Sequence, residues 1–148
     1  KRFPEDTSVR FSYLPALRAM IALNQGQPSK ALELLQPAAP YELGAHRTSF
    51  AGLFGNLYPS YVRGEAYLAT HRGVEAVAEF HRILDHRGIV VSDPIGAVAR
   101  LQLARAYMMA DDRTHAKFAY DDFLKLWKDA DPEIPILKQA RAEYEKVH

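Results

Sequence analysis

The side chains closest to a metal-binding pattern lie in the sequence FHRILDHRG at 80–88. His81 and Asp85 are four residues apart, which places both on one face of a helix, and His86 follows directly. A zinc or nickel site needs three or four converging ligands, and the chain has neither an HEXXH motif nor a cysteine pair to supply them. We therefore interpret these residues as a solvated helix surface and predict no metal site.

The motifs of phosphate binding and phosphoryl transfer are missing from the sequence. Neither GxxxxGK[ST] nor GxGxxG is present, and the GLFG sequence at 52–55 lacks the lysine and the preceding strand of a phosphate-binding loop. There is no VAIK lysine, no HRD with a downstream asparagine and no DFG. The serines lie in turns or helix starts, where capping explains them. We predict no catalytic residue, no cofactor and no enzymatic activity for this chain.

Composition narrows the classes of partner. The 148 residues contain 19 Lys and Arg against 18 Asp and Glu, so the chain lacks the dense positive charge expected of a nucleic-acid-binding protein. No stretch approaches 18 uncharged apolar residues, so we expect no membrane insertion by this chain. The absence of cysteine leaves the compartment open. Because the chain begins at Lys1 rather than methionine, we expect a piece of a longer protein.

One residue spacing occurs three times along the chain, in copies that start 45 and then 40 residues apart. Each copy begins with a small residue, and a second position follows three residues later. An alanine comes nine residues after that second position. Two further apolar positions follow the alanine, the first after four residues and the second after another three. The copies are Ala19, Ala22, Ala31, Leu35 and Ala38; Gly64, Tyr67, Ala76, Phe80 and Ile83; and Ala104, Tyr107, Ala116, Tyr120 and Phe123. This internal repetition predicts a repeat architecture.

The steps of three and four predict two helices per copy, separated by a polar break. The breaks contain the Gly, Pro, Asn and Asp residues expected of tight helix–helix turns. Each copy is therefore one antiparallel helix pair whose apolar face is buried by stacking on its neighbours. We predict a single all-α domain over 1–148, with its parts in the following ranges. Repeats cover about 13–38, 58–85 and 94–127, a connection covers 39–57, and a capping helix covers about 134–147.

These positions resemble the tetratricopeptide repeat (TPR) family. Its pattern of a small residue, an aromatic, an alanine after the turn and a second aromatic is met in the second and third copies. The first copy has Ala22 and Leu35 where aromatics are usual, as terminal repeats often do. The family's early tryptophan is absent, and the period exceeds its 34 residues. The resemblance implies a right-handed superhelical stack that binds proteins or peptides.

A narrower resemblance concerns 66–107 and 120–147, which are similar to the C-terminal repeat region of large bacterial signalling proteins. The sequences that carry it are ILDHRG at 83–88, DPIG at 93–96 and LWKDADP at 126–132. In those proteins a eukaryotic-like serine/threonine kinase, or sometimes a winged-helix regulator, precedes the repeats. The resemblance implies a kinase parent and supplies no catalytic residue here.

In the TPR family the first helices of the pairs line an inner, concave surface that usually takes the peptide. Residues that avoid the packing positions are expected there. From the first, second and third units these are Tyr13, Ala16, Met20 and Leu23; Tyr58, Tyr61, Glu65 and Leu68; and Val98, Leu101, Arg105 and Met108. We select Tyr13, Met20, Tyr58, Tyr61, Glu65, Leu101, Arg105 and Met108 as the peptide-binding site. The same residues could instead pack against an adjacent helix. The charges of the second unit's outer helix, including Glu79 and Arg82, are expected to face solvent.

Two functions remain open at this stage. The first is a protein–protein interaction module that forms the C-terminal binding or sensing arm of a bacterial signalling protein. The second is a structural domain that holds its parent as a homodimer by burying Phe50, Phe54 and Tyr58. The segment 39–57 is consistent with either, because it reads as a short helix packed on the first unit or as an aromatic patch that meets another chain.

Overall fold

The structure is a computed structural model, and it describes residues 7–44, 57–90 and 93–147. All regular elements in these ranges are helical, which confirms the all-α prediction. In chain order they are a π-helical turn at Val9–Tyr13, α1 (Leu14–Asn24), α2 (Pro28–Leu35), a 3₁₀ helix at Gln36–Tyr41, α3 (Tyr58–Ala69), α4 (Gly73–Asp85), α5 (Arg87–Val90), α6 (Ile95–Met109), α7 (Arg113–Leu126) and α8 (Pro135–Tyr144).

The turns that join α1 to α2, α3 to α4 and α6 to α7 share one conformation. Gly26, His71 and Asp111 occupy the same position in the three turns, and all have left-handed φ angles, of 71°, 57° and 59°. In each turn the residue that follows donates its backbone N–H over 2.9 Å to the carbonyl five residues earlier. This closes the end of the first helix and reverses the chain. The sequence repetition therefore corresponds to a repeated local structure.

The repeated apolar positions hold each helix pair together. All of them are buried except Tyr67 and Tyr107, which are half-buried. The closest approach is at Gly64 on α3, where a Cβ atom would lie 2.6 Å from Cζ of Phe80 on α4. In the other pairs an alanine, Ala19 or Ala104, occupies this position. In the second pair the buried ring of Phe80 leaves no room for a Cβ atom at position 64.

The pairs pack in chain order around two apolar clusters. One cluster joins α1 and α2 to Val62 and Ala66 of α3, and the larger one joins α3 and α4 to α6, α7 and α8. The first helices also contact one another, α1 with α3 and α3 with α6. Because these helices lie side by side, residues at equivalent positions on them lie on one surface of the protein.

The last helix covers the end of the third pair. Leu137, Ala140 and Val147 are buried against it, whereas Lys138 and Arg141 are exposed. Its bounds fall within 134–147, where a closing helix was predicted. The predicted connection is described only in part. Its residues 45–56, which include Phe50 and Phe54, lie outside the described residues.

The left-handed turn residues give a stability prediction. A left-handed conformation is strained for a side chain with a Cβ atom and is relaxed for glycine. The first turn already has Gly26 at this position. The substitution that tests the strain is His71→Gly in the second turn, where the side chain is exposed. We expect the melting temperature to rise, with a gain of about 0.5–1 kcal/mol in the free energy of unfolding. A lower melting temperature would contradict the turn geometry.

Candidate functional site

The first helices present a continuous row of side chains, here called the first-helix face. It consists of the exposed Met20 and of half-buried residues, namely Leu23, Tyr58, Tyr61, Glu65, Leu68, Val98, Arg105 and Met108. Met20, Glu65 and Arg105 occupy equivalent positions in the three pairs. The repeat register and the contacts between α1, α3 and α6 place them along one surface.

Two residues predicted to line this surface are buried instead. Leu101 is fully buried in the main core because α4 and α7 both pack against α6, so its prediction as a peptide contact is wrong. Ala16, at the equivalent position of α1, is also buried. The third predicted contact at this position, Tyr61, keeps only part of its ring accessible and packs edge-on against Phe80, with centroids 5.9 Å apart.

A hydrogen-bonded chain of polar side chains crosses the face from α3 to α6. Gln102 Nε2 lies 3.3 Å from Tyr61 Oη and 3.2 Å from Glu65 Oε1, and it donates to both. Arg105 Nη1 donates to Gln102 Oε1 over 3.3 Å. The predicted charged pair, Glu65 and Arg105, is therefore joined through Gln102.

The chain of hydrogen bonds continues into α8. Arg105 donates from Nε and Nη2 to the two carboxylate oxygens of Glu143, each over 2.8 Å. Tyr120 Oη donates to the same carboxylate over 3.0 Å. Two-point arginine–carboxylate pairs are directional and strong, so the closing helix fixes the orientation of Arg105. Neither Gln102 nor Glu143 was predicted as part of the site.

Burial shifts the pKa values of the groups in this network. It raises the pKa of Tyr61 to about 12, with a further contribution from Glu65. It also raises the pKa of Tyr120, as does the neighbouring Glu143. For Arg105, burial acts to lower the pKa, and the bonds to Glu143 more than reverse this effect. At neutral pH the face therefore presents the neutral phenol of Tyr61 beside the charged guanidinium of Arg105, a combination suited to binding.

The remaining predicted contacts have mixed surroundings. Tyr58 is half-buried, and its hydroxyl donates to Asp93 Oδ1 over 3.2 Å. Met108 is half-buried, and Met20 has 41% of its surface exposed. Tyr13 is half-buried in the π-helical turn before α1. The structure thus places seven of the eight selected residues where part of each side chain reaches solvent.

The histidines of the 80–88 sequence have polar neighbours. His81 Nε2 lies 2.6 Å from Tyr107 Oη, and His86 Nδ1 lies 2.7 Å from the Arg82 carbonyl oxygen. Within the described ranges no cluster of three or more His, Asp or Glu residues is arranged to hold a metal ion.

A second polar group, which we call the buried ion cluster, was missed by sequence reasoning. Glu42 is almost completely buried and accepts hydrogen bonds from Ser60 (3.1 Å), Arg82 (3.0 Å) and both terminal nitrogens of Arg63. Arg63 also donates to Glu79 over 2.9 Å. The cluster joins the segment after α2 to both helices of the second pair.

The expectation that Glu79 and Arg82 form a solvated face is corrected by this cluster. Glu79 is buried, and Arg82 is only partly exposed. The signal that could have revealed the cluster is Arg63, which lies between the apolar position of Val62 and the close contact of Gly64. In the third unit the equivalent residue is the buried Leu103. A charge at a core position requires a buried partner.

No family model, curated protein or solved structure matches the chain significantly. None of the helices in the described part of the chain is long and apolar enough to cross a membrane.

The protonation of Glu65 gives a pH-dependent prediction. Burial raises its pKa above the ordinary value of 4.5, and this effect exceeds the lowering by Tyr61, Gln102 and Arg105. The stabilisation associated with protonated Glu65 is therefore complete below pH 4.5 and is lost as the pH rises through the folded-state pKa. Glu65→Gln removes this loss. We expect the stability of the variant relative to the parent to increase between pH 4 and pH 7.

Urea unfolding at both pH values measures this difference. Glu145→Gln, at an exposed position, is the matched control and should show no such change. A relative stability of Glu65→Gln that stays constant or falls toward pH 7 would contradict the account of the network.

Proposed function

We propose that the chain is a protein–protein interaction module, a right-handed superhelical stack of TPR-type helix pairs whose first-helix face binds an extended peptide. The observation that carries the proposal is the alignment of α1, α3 and α6, which brings accessible aromatic and methionine side chains together with an ordered polar network on one surface. Tyrosine and methionine suit partly apolar recognition. The chain is a binding module in this proposal, without a reaction of its own.

The polar network fixes the orientation of the Arg105 side chain. Arg105 is held by Glu143 and Gln102 before any ligand arrives, so a ligand polar group next to it meets a fixed donor. Pre-organised groups lose less conformational entropy on binding. Met20 on α1 and Met108 on α6 provide the adaptable apolar contacts of the same face.

The place of the module in a larger protein follows from the sequence resemblance. We propose that it is the C-terminal binding or sensing arm of a bacterial signalling protein, with a serine/threonine kinase as the preceding domain and a winged-helix regulator as the alternative. The dimerisation hypothesis rests on Phe50, Phe54 and Tyr58. Phe50 and Phe54 lie outside the described residues, and Tyr58 is half-buried. A mass that stays monomeric over a wide concentration range in sedimentation would exclude it for this chain.

Binding is tested with peptides selected by display on the whole chain and measured by calorimetry. Tyr61→Ala should weaken a selected peptide by about tenfold or more, because truncating an aromatic anchor typically costs about 2 kcal/mol. Since Tyr61 also packs on Phe80, Met20→Ala serves as a second variant at an exposed site, and it should weaken the same peptide.

Lys117→Ala, on the exposed surface of α7, is the control and should leave the affinity unchanged. Circular dichroism of each variant checks that the helical content is retained. If Lys117→Ala weakens binding while both face variants do not, the outer helices are the contact surface. A selection that yields no peptide for the folded chain would contradict the binding function itself.

A further inference from the structure

The internal repeat shows which side of each helix pair meets the preceding pair. On α3, Val62 and Ala66 are fully buried against α1 and α2. On α6 the equivalents are Gln102, which is half-buried and donates hydrogen bonds to Tyr61 and Glu65 of α3, and Ala106, which is fully buried. Two successive first helices thus use the same positions to pack on the unit before them.

The same positions on α1 are uncovered. Leu17 and Ile21, the equivalents of Val62 and Ala66, each have 56% of their surface exposed. Ile21 also lines a cavity of about 250 Å³ on the side of the first pair, together with Arg18, Ala22, Gln25, Lys30 and Leu34. We call Leu17 and these residues the end face; it is distinct from the first-helix face.

Charge indicates what this surface would accept. Arg18 is the equivalent of Arg63, which is bound by Glu42 from the unit before it and by Glu79 from its own unit. In the first unit the position of Glu79 is taken by Leu34. Among the described residues neither Arg18 nor Lys30 has an ion-pair partner. The end face therefore combines the apolar docking positions of a repeat with unneutralised positive charge.

We propose that the end face binds a helix pair of the same repeat type, supplied by another protein segment, with a carboxylate directed at Arg18. A second copy of this chain fits less well. A two-fold arrangement would bring Arg18 and Lys30 of both copies together, and like charges oppose association. A head-to-tail arrangement would bring the end face against α8, where Lys138 is paired with Glu133 and the exposed Arg141 has no ion-pair partner among the described residues.

The test uses a tandem chain in which 14–58 is inserted again before Leu14. The insertion preserves the 45-residue spacing between the first and second units, so the added Glu42 is placed opposite the original Arg18. Because the protein has no cysteine, Ile21→Cys in the original unit gives a single thiol probe of the end face. We expect its labelling rate to fall at least tenfold in the tandem chain relative to the ordinary chain.

Two matched variants of the added copy identify the contact. Glu42→Lys there should restore fast labelling, whereas Glu33→Lys, at an exposed position of α2, should leave labelling slow. A thiol placed by Phe118→Cys, at an exposed site far along the chain, should label equally fast in both chains. Equal labelling of the Ile21→Cys thiol in the two chains, or a tandem chain that does not fold, would overturn the proposal.

Sedimentation of the unmodified chain tests whether a second copy binds the end face instead. We expect the chain to sediment as a monomer. A dimer that Leu17→Asp abolishes would show that a second copy binds there and would overturn the proposed partner.

Discussion

Glu42→Gln should lower the free energy of unfolding by about 3 kcal/mol or more, the largest single effect expected in this protein. The glutamate is buried and neutralises Arg63, which lies between the first and second helix pairs. Glutamine has nearly the same shape and removes only the charge. Arg63 would then keep only Glu79 as a carboxylate partner, and Arg82 would lose its ion pair with Glu42. A buried charge without a full complement is costly.

Chemical denaturation of the variant and of Glu33→Gln measures this effect. Glu33 lies on α2 and is exposed, so the same change of charge there should alter stability by less than about 0.5 kcal/mol. Arg82→Gln should have an intermediate effect because the Arg82 side chain is partly solvated. If Glu42→Gln and Glu33→Gln were equally stable, the buried ion cluster would not be formed as described.

Gly64→Ala should be the second most damaging change, with a loss of about 1–3 kcal/mol. In an exposed helix this substitution stabilises by about 1 kcal/mol. Here the added methyl group would lie 2.6 Å from the ring of Phe80, which is itself fully buried and cannot move away without disturbing the core. Overpacking therefore outweighs helix propensity at this position.

The first unit suggests a second substitution that should relieve the overpacking of Gly64→Ala. It has Ala19 and Leu35 at the positions of Gly64 and Phe80. Combining Gly64→Ala with Phe80→Leu reproduces that pair, and the double variant should melt at a higher temperature than Gly64→Ala alone. The coupling between two residues in direct contact is what a double-mutant cycle reports. A Gly64→Ala variant as stable as the parent would contradict the close approach of α3 and α4.

The helical elements and their apolar positions could be predicted because their signals are local. Steps of three and four residues identify the buried side of a helix, and small residues such as Gly64 and Ala76 mark where two helices approach. The left-handed residues His71 and Asp111 lie in breaks that the polar composition indicated. The structure has helices at these places.

The errors arose where burial depends on a distant part of the chain. Leu101 shares its repeat position with Tyr61, but it is fully buried in the main apolar cluster. Glu79 lies on a helix with alternating charges and looked solvated, yet Arg63 holds it in the interior. Glu42 lies in the connection between the first two repeats and at no repeat position, so no spacing indicated it.

In the candidate site, too, the residues could be predicted from local signals and their arrangement could not. Tyr61, Glu65 and Arg105 could be selected because their register keeps them out of the packing positions. Their arrangement could not be predicted, because it is made by Gln102 on the neighbouring helix and by Glu143 on α8. Register within one helix identifies which residues are accessible, and contacts between helices decide how they are oriented.

The proposed binding surface is tested most directly by NMR chemical-shift mapping of the whole chain with a display-selected peptide. If the first-helix face binds the peptide, the largest shifts should fall on α1, α3 and α6, with the methyl groups of Met20 and Met108 among them. Residues on the exposed side of α7, such as Lys117, should be unaffected. The largest shifts on α4 and α7, with Met20 and Met108 unchanged, would contradict the proposal.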